Sequence, residues 1–151
     1  MQYYINSVIK EFDKISEVRK EHLLQLTNYF QEKYKAGKTP KAIVICTHNS
    51  RRSHLGQVWL AVAADYYGLP KLETYSGGTE ATAFNPRAVA ALKRTGLQIT
   101  VENTEVENPI YELRWNDNMQ PYQAFSKKYD SEPNPIEDFA AIMVCTDADE
   151  K

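Results

Sequence analysis

One segment constrains the fold more than any other, because a short apolar run passes directly into a polar loop and then into a helical pattern. Ala42–Ile45 is typical of a buried strand. The loop Cys46–Arg52 follows, and apolar residues then recur at helical spacing from Leu55 to Tyr66. A loop that closes onto a helix start points several backbone N–H groups into one concavity, where the helix dipole adds positive charge. The segment therefore predicts an anion-binding loop at the carboxyl end of a parallel strand in an α/β sheet.

The loop has a thiol at its first position and a guanidinium at its last. A field that holds an anion also favours a thiolate over a thiol, so we expect Cys46 to be a nucleophile with a lowered pKa. Arg52 can donate two parallel hydrogen bonds to a bound oxyanion, and Ser53 can donate one to the Cys46 sulfur. The intervening residues are expected to bind the oxyanion through their N–H groups: Thr47, His48, Asn49, Ser50 and Arg51.

Four separated segments support this prediction: Cys46–Ser53, Tyr75–Glu80, Phe84–Val89 and Val144–Glu150. In residue type and order they resemble the low-molecular-weight protein tyrosine phosphatase superfamily, which includes thiol-coupled arsenate reductases. The stretch Cys46–Ser50 is most similar to the arsenate-reductase-like branch. The resemblance implies a three-layer α/β domain over residues 41–151 with an open parallel sheet.

The resemblance implies three possible functions. The first is a phosphomonoesterase like a protein tyrosine phosphatase, acting on phosphate or phosphotyrosine-like substrates through a thiophosphoryl intermediate. The alternative is a thioredoxin-coupled arsenate reductase that uses Cys46 and Cys145. The third is an inactive anion-binding module. None of them needs a cofactor, and three histidines and two cysteines without ligand spacing argue against a metal site.

Cys145 follows the last apolar run, Ala140–Val144. If that strand is parallel to the first one and adjacent to it, both cysteines end at the same edge of the sheet. In the arsenate reductases a cysteine in this context attacks the sulfur of the nucleophile, so the resemblance gives Cys145 a catalytic redox role. The other interpretation is an inert core cysteine, since free cysteine is among the most buried residue types.

Two regions lie outside the resemblance. Residues 1–40 form an N-terminal helical extension, in which Ser16 can cap a helix and Gly37 can close it. We expect its apolar face to pack against the sheet or a second subunit. Residues 108–129 alternate between apolar and polar side chains, which predicts an inserted β-hairpin.

The end of the chain also departs from the family pattern. In the phosphatases an Asp-Pro loop supplies the acid that protonates the leaving group, and this sequence contains no such dipeptide before Lys151. We therefore expect the sequence to be incomplete at its C-terminus. A general acid typically contributes roughly 10²–10⁴ in rate.

Composition agrees with one globular domain. The 151 residues are 42% apolar and 25% charged, with a formal net charge of −2. That charge gives no electrostatic basis for binding nucleic acid or a membrane. Two cysteines without disulfide-framework spacing suit a reducing compartment, so we expect a cytoplasmic protein.

Overall fold

A computed structural model describes residues 1–150, in which strands and helices alternate from residue 41 to residue 101. The helices are α1 (Gln2–Ile9), α2 (Glu17–Lys35), α3 (Arg52–Tyr66), α4 (Pro86–Arg94) and α5 (Thr146–Asp149). The strands are β1 (Lys41–Cys46), β2 (Glu73–Gly78), β3 (Gln98–Val101), β4 (Tyr111–Arg114), β5 (Tyr122–Ala124) and β6 (Ala140–Met143). No helix within residues 1–150 has both the length and the apolar composition needed to cross a bilayer.

The parallel sheet has the strand order β2-β1-β6, with β1 in the centre. Ala42 to Cys46 are all buried, as the apolar run predicts for a strand covered on both faces. Ile45 pairs with Gly77 of β2 and with Met143 of β6. The predicted α/β fold is confirmed, and β6 is parallel to β1 and adjacent to it, which is the condition under which both cysteines lie at the same edge of the sheet. The carboxyl ends of all three strands therefore meet where the polar loop begins.

A second sheet contains the predicted hairpin, in the antiparallel order β3-β4-β5. The hairpin strands β4 and β5 lie within residues 108–129, but β4 also pairs with β3, where Ile99 faces Leu113. The prediction of a two-stranded insertion was therefore incomplete. The sequence gives little sign of β3, because a four-residue strand with one buried position, Ile99, shows no periodicity. Ile99, Leu113 and Ala124 share a core with α3 and α4.

The helices of residues 1–40 attach to the domain in different ways. α1 packs on α3, where the Tyr4 and Trp59 rings stack with centroids 5.1 Å apart. α2 is capped by Ser16 and followed by Gly37 at φ +68°, but none of its residues is buried. Its contacts include Tyr29, whose hydroxyl donates to the Asp138 carbonyl at 3.1 Å. The domain boundary at residue 40 remains a prediction.

Candidate active site

The Cys46 sulfur lies at the carboxyl end of β1, almost completely buried, and is surrounded by hydrogen-bond donors. Burial by itself would raise the pKa of the thiol. The Ser53 hydroxyl, 3.1 Å from the sulfur, and the backbone N–H groups of Asn49, Ser50 and Ser53 act in the opposite direction. Together they hold the pKa of Cys46 below its ordinary value, because each of them stabilises a thiolate more than a thiol.

Asn49 gives the loop its shape. It is fully buried and adopts φ +44°, a left-handed conformation that asparagine tolerates better than most residues. Its Oδ1 accepts the backbone N–H of Lys127 at 2.8 Å, so its Nδ2 must point the other way and donates to Ser53 Oγ at 2.8 Å. Because Ser53 Oγ accepts that bond, its own hydrogen is free to donate to Cys46. The orientation of the amide thus sets the direction of the whole chain of hydrogen bonds.

Cys46 and Arg52 both line one cavity of about 500 Å³. Its lining residues are Cys46, His48, Ser50, Arg51, Arg52 and Thr82. An opening of this size, which has a buried thiol and two arginines in its wall, can accept a tetrahedral oxyanion.

The Arg52 side chain does not turn over the loop as the sequence prediction placed it. It is exposed, and its Nη1 donates to the Val144 carbonyl at 3.4 Å. The guanidinium therefore lies at the end of β6, where its charge acts on Cys145.

Of the other predicted loop residues, Ser50 forms a structural hydrogen bond, whereas His48 and Arg51 are exposed to solvent. Ser50 Oγ donates to the Ala83 carbonyl at 2.8 Å, which ties the loop to the segment before α4. The His48 ring is more than half exposed and lies 3.6 Å from the Glu80 carboxylate. Arg51 is exposed at the rim of the cavity.

Cys145 lies beside the loop but on the other side of the sheet. Ile45 pairs with Met143, so the next pair along is Cys46 with Val144, and Cys145 comes beside Thr47. Successive side chains of a strand leave opposite faces, and so do the two thiols. Cys145 Sγ is 3.5 Å from Thr47 Oγ1, on the face where Ala148 of α5 is buried.

The pKa of Cys145 is also lowered. Partial burial acts to raise this pKa. Its effect is outweighed by the Thr47 hydroxyl, the N–H groups of Ala148 and Thr47, and the positive charge of Arg52. Both cysteines are free. Two thiols with lowered pKa values therefore end adjacent parallel strands at one edge of the sheet.

Two buried residues lie behind the loop, of which the sequence interpretation took His54 as a packing or surface residue and missed Lys127. His54 is fully buried, and its ring stacks on Phe84 with centroids 4.1 Å apart. Burial, reinforced by the nearby charge of Lys127, lowers the pKa of His54 to about 3, so the ring is neutral at pH 7. Lys127 is 7% exposed, and burial lowers its pKa to about 8. No local pattern marks Lys127, because only the tertiary fold brings it under the loop.

Comparison with known proteins finds similarity to arsenate reductases, which the motifs also resemble. The arsenate reductase of Bacillus subtilis (strain 168) is 37% identical over 62 residues, which cover 41% of this chain and 42% of that protein. The arsenate reductase of Bacillus licheniformis is 34% identical over 65 residues, 43% of this chain and 44% of that protein. Arsenate reductase 2 of Staphylococcus haemolyticus is 39% identical over 57 residues, 37% of this chain and 40% of that protein. The resemblance to the arsenate reductases is confirmed.

The similarity is partial. The matched segments span less than half the length of each of these arsenate reductases. No family model matches the chain, and no solved structure matches it. Similarity to arsenate reductases is thus shown by sequence over part of the chain.

Proposed function

We propose that this protein is an arsenate reductase, in which Cys46 is the nucleophile and Cys145 the second redox thiol. The observation that carries the proposal is the placement of two free thiols with lowered pKa values near the carboxyl ends of adjacent strands, with an anion-sized cavity beside Cys46. A hydrolase needs one such thiol, whereas a reductase needs two. The partial similarity to arsenate reductases supports the same choice.

In the first step the Cys46 thiolate attacks the arsenic atom of arsenate. An arsenic–sulfur bond forms, and one oxygen leaves as water after it is protonated. The loop N–H groups hold the remaining oxygens, and Arg52, released from the Val144 carbonyl, pairs with their charge. Ser53 stabilises the thiolate before the attack.

In the second step the Cys145 thiolate attacks the Cys46 sulfur. A disulfide forms, the arsenic–sulfur bond breaks, and its electron pair leaves with arsenic, which is reduced from As(V) to As(III). The two sulfurs are oxidised by two electrons in total, so the electrons balance. A thioredoxin-type dithiol protein would then reduce the disulfide for another turnover.

The second step requires a local movement, because the two thiols leave opposite faces of the sheet. Cys145 is suited to move: it precedes α5, a helix of only four residues, and its own side chain is partly exposed. Cys46 is held by its hydrogen bonds. We therefore assign the motion to Cys145.

The phosphatase function, which was the main prediction from the motifs, is less well supported than the reductase alternative. The proteins matched by comparison are named arsenate reductases. A phosphatase reaction would use the same loop and the same first step, so the distinction depends on Cys145.

The test is to incubate the fully reduced protein with arsenate and to measure released arsenite and remaining free thiols. We expect one arsenite and the loss of two thiols per chain, with a Cys46–Cys145 disulfide identified by peptide mass spectrometry. Cys145→Ser should abolish the disulfide and keep phosphate binding, because its side chain lies outside the anion cavity.

Two results would contradict the proposal. Hydrolysis of p-nitrophenyl phosphate by Cys46, without arsenate-dependent thiol loss, would show a phosphatase. Phosphate binding with neither arsenite release nor hydrolysis would show an inactive anion-binding module.

A further inference from the structure

The last part of the predicted insertion, after strand β5, runs directly beneath the anion loop. This segment, residues 125–129, is called the brace below. Gly78 at the end of β2 bonds to it in both directions: Gly78 N–H donates to the Lys127 carbonyl at 3.0 Å, and Tyr129 N–H donates to the Gly78 carbonyl at 2.9 Å. The brace thus extends the parallel sheet by one bridge at the edge of β2.

Two glycines make this close approach possible. A Cβ at Gly77 would lie 2.4 Å from the Tyr129 Cα, and a Cβ at Gly78 would lie 2.6 Å from the Asn49 nitrogen. Both distances are shorter than van der Waals contact permits. The end of β2 is therefore shaped to fit the brace on one side and the anion loop on the other.

The brace holds the loop at two consecutive residues. Ser126 Oγ donates to the His48 carbonyl at 3.1 Å, and it accepts the Thr82 N–H at 2.8 Å. Lys127 N–H donates to Asn49 Oδ1 at 2.8 Å. Ser126 is 2% exposed and Asn49 is fully buried, so water cannot replace these bonds without opening the structure.

The Lys127 bond determines more than the position of Asn49. A backbone N–H can only donate, and it therefore selects the oxygen end of the Asn49 amide. The nitrogen end then donates to Ser53, whose remaining hydrogen faces Cys46. The inserted segment is in this way connected to the nucleophile by three successive hydrogen bonds.

The Lys127 side chain is unusual for its position. Its ammonium lies 4.6 Å from the Phe125 ring centroid and donates to the Phe125 carbonyl at 3.4 Å. It forms no ion pair among residues 1–150. A buried ammonium without a carboxylate is costly, and here it adds positive charge on the side of the loop away from solvent.

We propose that the brace is a positioning element for the nucleophile, whose Lys127 N–H bond to Asn49 keeps the Ser53 hydroxyl directed at the sulfur. This inference shares the anion loop with the proposed function, but it does not depend on the reduction of arsenate. The motifs give the insertion no role. In this proposal it helps to hold the anion loop in the conformation that binds an oxyanion.

The first experiment compares Ser126→Ala with Ser131→Ala in the full chain. Both remove one serine hydroxyl from the region after the hairpin, but the Ser131 hydroxyl forms no hydrogen bond within residues 1–150. We expect Ser126→Ala to weaken inorganic phosphate binding about fivefold and to raise the pKa of Cys46, measured as the pH profile of iodoacetamide alkylation. Ser131→Ala should change neither. Wild-type phosphate affinity and alkylation profile in a folded Ser126→Ala protein would overturn the proposal.

Asn108→Ala covers the case in which Ser126→Ala does not fold. Asn108 does not contact the loop, but its side chain clamps the brace: Nδ2 donates to the Ser126 carbonyl at 2.8 Å and Oδ1 accepts the Ser126 N–H at 3.1 Å. We expect the same two changes, smaller in size. Their absence in this variant would also contradict the proposal.

Asn49→Asp tests the direction of the hydrogen bonds. An aspartate oxygen still accepts the Lys127 N–H, but its other oxygen cannot donate to Ser53 and would accept the serine hydrogen instead. We expect a clear rise in the Cys46 pKa; an unchanged pKa would show that the amide orientation does not control the thiolate.

These measurements separate the brace from the proposed reaction, because none of them uses arsenate. A protein that shows the expected changes but never reduces arsenate would refute the proposed function and support the proposed role of the brace. Arsenate reduction together with an unaffected Ser126→Ala variant would refute the brace alone.

Discussion

The two cysteines end neighbouring strands, and their surroundings differ sharply. Cys46 is 3% exposed and receives hydrogen bonds from Ser53 and three backbone N–H groups. Cys145 is partly exposed, and its 3.5 Å contact with the Thr47 hydroxyl is longer than the 3.1 Å contact between Cys46 and Ser53. One thiol is fixed before any ligand arrives, whereas the other is only lightly held.

This difference suits each thiol to a different step of the proposed reaction. An attack on arsenic benefits from a thiolate already placed among oxyanion donors, because preorganised groups need no rearrangement in the transition state. A thiol that must cross to the other face of the sheet benefits from weak attachment. The predictions below test whether the two thiols differ in this way.

The largest effect is expected from Cys46→Ser, which removes the nucleophile. Arsenate turnover should fall by roughly 10⁶-fold, as when other enzymes lose theirs. Cys145→Ser should also stop turnover, but only after Cys46 has reacted once. Mass spectrometry of arsenate-treated Cys145→Ser should detect the arsenic adduct on Cys46. An adduct on Cys145 in the Cys46→Ser protein would reverse the assignment of roles.

The next largest effect is expected from the buried His54, which belongs to the surroundings of Cys46 and not to those of Cys145. The pKa of His54 is about 3 in the folded protein, mainly because of burial, against about 6.5 unfolded. The unfolded state therefore binds the proton first, and stability falls as the pH drops below about 6.5. Between pH 7 and pH 5 we expect a loss of about 2 kcal/mol in the free energy of unfolding, measured by urea denaturation. His54→Gln should lose this dependence on pH; an equal dependence in the variant would assign it to other groups.

A smaller effect is expected from Ser53→Ala. Removal of the hydroxyl leaves the Cys46 sulfur with its backbone donors only, so its pKa should rise. Hydrogen bonds to charged groups contribute about 1.5–3 kcal/mol, so arsenate turnover at pH 7 should fall at least about tenfold. Turnover at high pH should recover towards the wild-type rate. A deficit that is the same at every pH would mean that Ser53 does not act through the thiolate.

The smallest effect is expected from Thr47→Val, the corresponding change beside Cys145. The contact of 3.5 Å is weak, so the loss should reduce the rate of disulfide formation by about twofold or less. Single-turnover thiol loss after arsenate addition gives this rate. A larger loss than in Ser53→Ala would contradict the contrast between the two thiols.

The part of the site that sequence reasoning predicted is the part made by consecutive residues. Cys46–Ser53 folds locally, so strand, loop and helix start follow from their order along the chain. The apolar run Ala140–Val144 predicts the last strand, but its place beside β1 was only assumed from the sequence, and no residue of β6 is buried.

The remainder depends on contacts between distant residues. Lys127 is 78 positions from Asn49, and no periodicity or spacing connects them. Arg52 was placed over the loop by the chemistry of anion binding, yet in the structure the Val144 carbonyl, 92 residues away, accepts its hydrogen bond. β3 was missed because four residues are too short for a pattern.

The most direct test of the account is a titration of the Cys46 thiol in the Cys145→Ser protein, followed by thiolate absorbance at 240 nm or by alkylation rate. The hydrogen bonds at the end of β1 predict a midpoint clearly below the ordinary cysteine value of about 8.5. A midpoint at or above that value would show that the sulfur is a common buried thiol, and the proposed chemistry at this loop would be wrong.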